Sequence, residues 1–259
     1  MIDVPMRTQR AWNRDTLLAV NTLKNSPVYS AENIQNTHRQ KEEPPKRKDA
    51  QGIKEPAGNS AKPAAPPPVP MQIPSLLHPI QKGQKVPVAL SGAMQQVDVC
   101  LGWNCTDARC DVDVSAFLLG ENGKVIGDDW FVFYGQPKSP DGSTCFEVDG
   151  REDREVIHLD LARLNPAVKK VVFVLTINEA VEKRLHFGML DSAYIRLLDH
   201  KNRTELVSFL MTDYYTNVIS MMIGELYLHK GDWKFHGIGN GVAKDLAGLC
   251  GLYGVRVSG

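Results

Sequence analysis

From about Lys82 onward, short apolar stretches alternate with turn-forming residues. Val86–Leu90, Val97–Trp103, Asp111–Leu119, Trp130–Tyr134 and Glu155–Leu161 read as strands. So do Val171–Ile177, Ala193–Leu198, Glu205–Leu210, Ile219–Leu228 and Trp233–Ile238. Turn chemistry separates them at Glu121–Lys124 (ENGK), Ser139–Gly142 (SPDG), Asp199–Asn202 and Lys230–Asp232 (KGD). Asn165-Pro166 marks a further turn. About ten short strands at hairpin-like spacing predict an all-β fold, an antiparallel two-sheet β-sandwich. One helix is predicted over Val242–Tyr253, where Val242, Leu246, Leu249, Cys250 and Tyr253 form an apolar stripe suited to packing on a sheet. The glycines of Gly237-Ile-Gly239-Asn-Gly241 lack the lysine of a phosphate loop and read as a tight strand-to-helix turn.

The first part of the chain follows another pattern. Eleven of the sixteen prolines fall within residues 1–75. The stretch Glu42–Pro74 has few aromatic or β-branched residues and cannot bury enough surface to offset chain entropy. Residues 1–80 are therefore expected to form a disordered, proline-rich basic arm, and residues 81–259 the folded domain. Within the arm, Ala11–Lys24 places Trp12, Ala19, Val20 and Leu23 at helical spacing, as a transient helix or as a docking peptide for a partner groove. Met1–Arg14 is charged but no apolar core follows it, so no secretory leader is expected. No apolar run approaches the ~20 residues of a membrane span, so no direct membrane insertion is expected and a cytoplasmic location is.

Charge sharpens the picture. The 259 residues carry 30 Lys or Arg and 30 Asp or Glu, a net of zero, which argues against bulk nucleic-acid binding. That total conceals a partition. Residues 98–160 hold 14 Asp or Glu against 5 Lys or Arg, a net of −9, while residues 1–75 hold 11 basic and 7 acidic residues, a net of +4. The acids gather at Asp107, Asp111 and Asp113, at Asp128 and Asp129, and along Glu147, Asp149, Glu152, Asp153 and Glu155. On a strand, the carboxylates of Asp111-Val-Asp113 project to one face, ~6–7 Å apart. Like charges so placed repel unless a cation or a raised pKa relieves them. Calcium takes oxygen ligands from loops rich in Asp and Gly, and the EVDGREDRE segment Glu147–Glu155 is such a loop. A solvated acidic face is the alternative reading of the same residues.

Other chemistry finds less support. A paired-carboxylate glycosidase wants aromatic sugar platforms, and only Trp130 and Tyr134 stand near. No GxSxG, GxxxxGK[ST] or HExxH occurs. His158 reads as surface or core filler, and His186, His229 and His236 share no metal-binding spacing. The five cysteines contain no CxxC pair; Cys100 and Cys250 sit in apolar surroundings, whereas Cys105 and Cys110 flank a polar loop and read as exposed thiols.

Several collinear blocks carry a family resemblance. They are Leu101-Gly-Trp103, Asp111–Leu119 (DVDVSAFLL), Phe131–Tyr134 (FVFY) and Lys138–Gly142 (KSPDG). Phe187-Gly188, Ala193–Arg196 (AYIR), Gly224–Tyr227 (GELY), Trp233–Phe235 (WKF) and Leu246–Leu249 (LAGL) follow. Over about Lys82–Val255 the chain closely resembles the tellurium-resistance TerD family of bacterial stress proteins. The resemblance implies a calcium-binding β-sandwich with no catalytic activity. It also implies partners among other tellurium-resistance proteins, with a membrane-embedded partner at the inner face of the membrane. Carried onto this chain, it assigns Ca2+ to Asp111 and Asp113 and to Asp149, Asp153 and Glu155, with Asp128 and Asp129 as further candidates. The family's second acidic loop, GxGDGDDE, is altered here: Arg154 stands where an acid is expected and Arg151 falls inside the loop. Arginine cannot ligate a cation but can neutralise a carboxylate. The alternative is a metal-independent scaffold of the same fold, recruiting partners through its surface and its arm.

Overall fold

A computed structural model of the chain describes residues 70–90, 95–149 and 152–256. The proline-rich arm before residue 70 and the helix expected at residues 11–24 lie outside them. The first sheet contains β1 (Lys85–Pro87), β3 (Val112–Leu119), β4 (Phe131–Val132), β7 (Lys170–Ile177), β10 (Ser220–His229) and β11 (Asp232–Val242). Its order is β1-β11-β10-β7-β3-β4. The second contains β2 (Gln96–Cys105), β5 (Thr144–Val148), β6 (Glu155–Asp160), β8 (Leu190–Asp199) and β9 (Glu205–Leu210), in the order β5-β6-β2-β8-β9. All strand pairs are antiparallel, as the hairpin-like spacing predicts. Among the described residues the α-helices are short, α1 (Ala180–Lys183) and α2 (Leu246–Tyr253). Among the described residues no helix is long and apolar enough to cross a membrane.

Side-chain alternation sorts the strands into layers. Val97, Val99, Leu101 and Trp103 of β2 meet Val114, Ala116 and Leu118 of β3 and Val171, Phe173 and Leu175 of β7 in the core between the sheets. The alternate residues Phe117, Leu119, Val172 and Val174 face outward, where Leu249, Cys250 and Tyr253 of α2 cover them. Phe117 stacks on Phe131 at 4.4 Å and tilts against Tyr253 at 4.5 Å. This second layer explains why β3 and β7 are apolar on both faces.

The structure moves several expected boundaries. The helix begins at Leu246, not Val242, because β11 runs through its glycines to Val242, and Asp245 caps α2 through a bond from the Gly248 N–H. Val242 still packs on the α2 cluster, but from a strand. The expected strand Trp130–Tyr134 shortens to β4, because Asp128–Trp130 forms a 3-10 turn. Strand β5 (TCFEV) is an addition to the expected set; it pairs with β6 and sends Phe146 into the core, while Glu147 and Val148 stay exposed. Residues 70–80, placed with the arm by composition, lie along the sandwich. The Met71 N–H donates to Asn104, the Leu77 and His78 N–H groups donate to Glu205, and Pro79 bridges Ser208.

Phe173 is fully buried at the centre of the core. Phe173→Ala is expected to cost about 3–5 kcal/mol. Urea unfolding would register this as a lower midpoint at unchanged slope.

Candidate functional site

The structure separates the acidic residues that the sequence groups together. Asp113 lies on the outer face of β3, at the rim of a cavity of about 270 Å3. The end of β7 supplies Thr176 and Ile177, the following turn Asn178 and Glu179, and α1 Glu182; the start of α2 supplies Asp245 and Leu246. Tyr134 closes another side. Four acidic residues, Asp113, Glu179, Glu182 and Asp245, therefore line one cavity; Lys183 pairs with Glu179 at 2.7 Å, and Asp245 spends one oxygen on the α2 cap. Asp111 precedes β3, and its backbone carbonyl accepts from the Asn178 N–H at 2.8 Å. Only Asp113 of the expected ligands lines this cavity. Glu179, Glu182 and Asp245 carried no sequence signal, because β3, β7 and α2 meet only in the fold.

The acidic loop before β6 is organised differently. Asp153 is buried and receives two bonds from Arg196 of β8, from Nε at 2.9 Å and from Nη2 at 2.8 Å. The Tyr194 hydroxyl donates to the same carboxylate at 2.8 Å, and burial followed by the Asp153 charge pushes this phenol up, keeping it a donor. Tyr194 reaches Asp153 by packing over Gly102, where a Cβ would run into its hydroxyl and ring. The Leu101-Gly-Trp103 motif thus has a steric basis. Glu155 points between the sheets, and its Oε2 accepts the Val114 N–H at 2.7 Å, past the end of the two-residue β4. Asp149 accepts the Asp153 N–H at 3.3 Å.

Arginines neutralise other parts of the acidic segment. Arg154 Nε donates to the Trp103 carbonyl at 2.6 Å, and its guanidinium lies over the Trp103 ring. Asp128 accepts from Arg256 at 2.8 Å, while Asp129 is exposed. Cys110, expected at the surface, is buried; its thiol hydrogen-bonds Cys105, which is half-buried and whose own thiol that bond lowers.

A separate constellation occupies the outer face of the five-stranded sheet. Asp98 of β2 is opposite His158 of β6 in register. Its Oδ1 lies 2.7 Å from His158 Nδ1 and 2.6 Å from His200 Nδ1, and its Oδ2 accepts from Arg203 at 2.8 Å. Glu147 Oε2 lies 3.2 Å from His158 Nε2. Among the described residues, this is the one set of three His, Cys, Asp or Glu side chains with ligand atoms all within 4.8 Å of one another. None of the seven acidic residues expected as ligands belongs to it. His158 is therefore not filler, and sequence reasoning missed the group because strand register, not spacing, brings residues 98, 158 and 200 together. Burial alone would raise the Asp98 carboxyl, but hydrogen bonds from His158 and His200 outweigh it and hold it at about 2. The Asp98 bond raises His158 above its ordinary value against the opposing effect of burial.

The TerD domain family profile matches residues 76–253. Tellurium resistance protein TerD of Serratia marcescens is 39% identical over 188 residues, covering 69% of this chain and 98% of that protein. General stress protein 16U of Bacillus subtilis is 31% identical over 188 residues, covering 69% of this chain and 97% of that protein. Among solved structures, a homologue of telluride resistance protein TerD from Streptomyces coelicolor aligns at a TM-score of 0.46 and 20% identity, over 61% of this chain and 95% of that one.

The Asp98 group makes stability depend on pH in a defined sense. Its depressed carboxylate contributes stability that is present above its unfolded value of 3.8 and lost as pH falls to about 2. The raised His158 contributes stability that is present below 6.5 and lost as pH rises through its folded value. Melting temperature against pH is expected to show the largest gap between the native chain and Asp98→Asn between those two limits. A gap independent of pH would contradict the assignment.

Proposed function

The chain belongs to the TerD family, and we propose that it acts there as a non-enzymatic, calcium-binding module of the stress response to tellurium compounds. The observation that carries the reading is the cavity at Asp113, lined by four acidic residues together with Asn178, Thr176 and Tyr134, with Lys183 paired to one of the four, Glu179. Calcium prefers 6–8 oxygen ligands in flexible geometry, and such a donor set suits it. Gathering those charges costs repulsion, which a divalent cation relieves. Binding would tie the start of β3 to α1 and to the start of α2, ordering one end of the sandwich.

In this reading the calcium-ordered surface presents the chain for assembly with other tellurium-resistance proteins, including one embedded in the membrane. The chain itself reaches the inner face of the membrane through those partners, from the cytoplasm. The basic arm serves as a tether.

A second reading has its own support. Arg196 holds Asp153 and Arg256 holds Asp128, so part of the acidic segment is balanced without metal. A metal-independent scaffold of the same fold would extend that arrangement to the whole segment.

Thermal unfolding with calcium and with chelator separates the two. The calcium reading expects a stabilisation of about 2.7 kcal/mol at a hundredfold excess over Kd. Asp113→Asn is expected to remove most of that shift while leaving the chelated protein folded. Equal melting temperatures in calcium and chelator would leave the scaffold.

A further inference from the structure

We propose that Asp98, His158 and His200 form a binding site for a divalent transition metal of the zinc class, separate from the calcium reading and independent of it. Asp98 is almost fully buried on the sheet face, and two imidazole nitrogens converge on a single one of its oxygens. The three donors come from different parts of the second sheet: Asp98 from β2, His158 from β6 and His200 from the turn after β8. A rigid sheet positions the first two, and the His200 N–H bonds the Gln96 carbonyl at 3.1 Å to fix the third. Two imidazoles and a carboxylate leave a fourth tetrahedral position for water or a ligand, the composition of an open zinc site.

His158 and Asp98 already carry the outer bonds of metal ligands. A ligating imidazole holds its orientation by donating its other N–H to a carboxylate, and a ligating carboxylate is itself hydrogen-bonded. Glu147 stands at His158 Nε2, and Arg203 occupies the Asp98 oxygen that the histidines do not share. A neutral imidazole carries one N–H only. With carboxylates at both ring nitrogens, His158 needs either a second proton or a metal at Nδ1.

The present Nδ1···Oδ1 distances of 2.6 and 2.7 Å belong to hydrogen bonds. Around zinc, with bonds of about 2.0–2.1 Å, ligand atoms stand about 3.3 Å apart, so each ring must withdraw by about 0.7 Å. His200, half-exposed at its turn, has room to do so. Binding then displaces the Nδ1 proton of His158 to solvent, and a neutral His200 carries its proton on Nε2. Nitrogen donors favour zinc, cobalt, nickel or copper over calcium.

Zinc titration of the full chain, followed by calorimetry and by melting temperature, tests the site. The expected result is one zinc per chain and a raised melting temperature. His158→Gln and His200→Ala should each weaken binding about tenfold or more. His200→Ala changes a half-exposed turn residue and keeps the test valid should His158→Gln or Asp98→Asn fail to fold. A Cys105→Ser, Cys110→Ser double variant should bind zinc as the native chain does. Absence of zinc uptake by the native chain, unchanged affinity in both histidine variants, or loss of binding in the cysteine variant would each overturn the proposal.

Discussion

Arg196 meets Asp153 through two hydrogen bonds in a place almost without solvent, and the layout of the acidic segment follows from that contact. Breaking such a pair from one side leaves an uncompensated buried charge, at about 3–5 kcal/mol. The loop before β6 is therefore pinned to the outer face of β8. Tyr194 adds a third bond to the same carboxylate, and Gly102 leaves the space in which its ring lies. With Asp153 committed there, Glu155 turns inward to the Val114 N–H and joins the two sheets. Carboxylates that composition presents as one block thus take different structural duties.

The two outer faces of the sandwich divide the remaining chemistry. The six-stranded sheet is covered by α2, and where that cover begins, Asp245 and Leu246 meet Asp113 and the α1 turn around an oxygen-rich cavity. The five-stranded sheet carries instead a polar face, where Asp98 gathers His158, His200 and Arg203 around a small apolar patch of Cys100, Val156 and Leu198. Hard oxygen donors on one face and imidazole nitrogens on the other suit different cations. The common core between the sheets holds both faces in place without taking part in either.

Much of the fold was legible in the sequence because apolar alternation and turn residues are local signals. Glu205–Leu210 begins and ends where its pattern says. Strand β5 was not legible, since TCFEV offers a single large apolar residue for the core, Phe146, and its place is set by pairing with β6. The candidate sites were legible only in part. The Asp111-Val-Asp113 pattern marked Asp113, but the other cavity carboxylates come from segments that only the fold brings to it. The Arg154 substitution pointed to charge compensation in the loop, yet the arginine that compensates Asp153 is Arg196, more than forty positions away and opposite the loop across the sheet. Strand register, which decides such pairs, depends on the whole sheet.

The acidic segment is partitioned: arginine balances Asp153 and Asp128, whereas Asp113 lines the oxygen-rich cavity. Calcium calorimetry that counts ions per chain tests it most directly. The account predicts a single calcium, lost in Asp113→Asn and retained in Asp128→Asn. Two ions per chain, or one that survives Asp113→Asn, would contradict it.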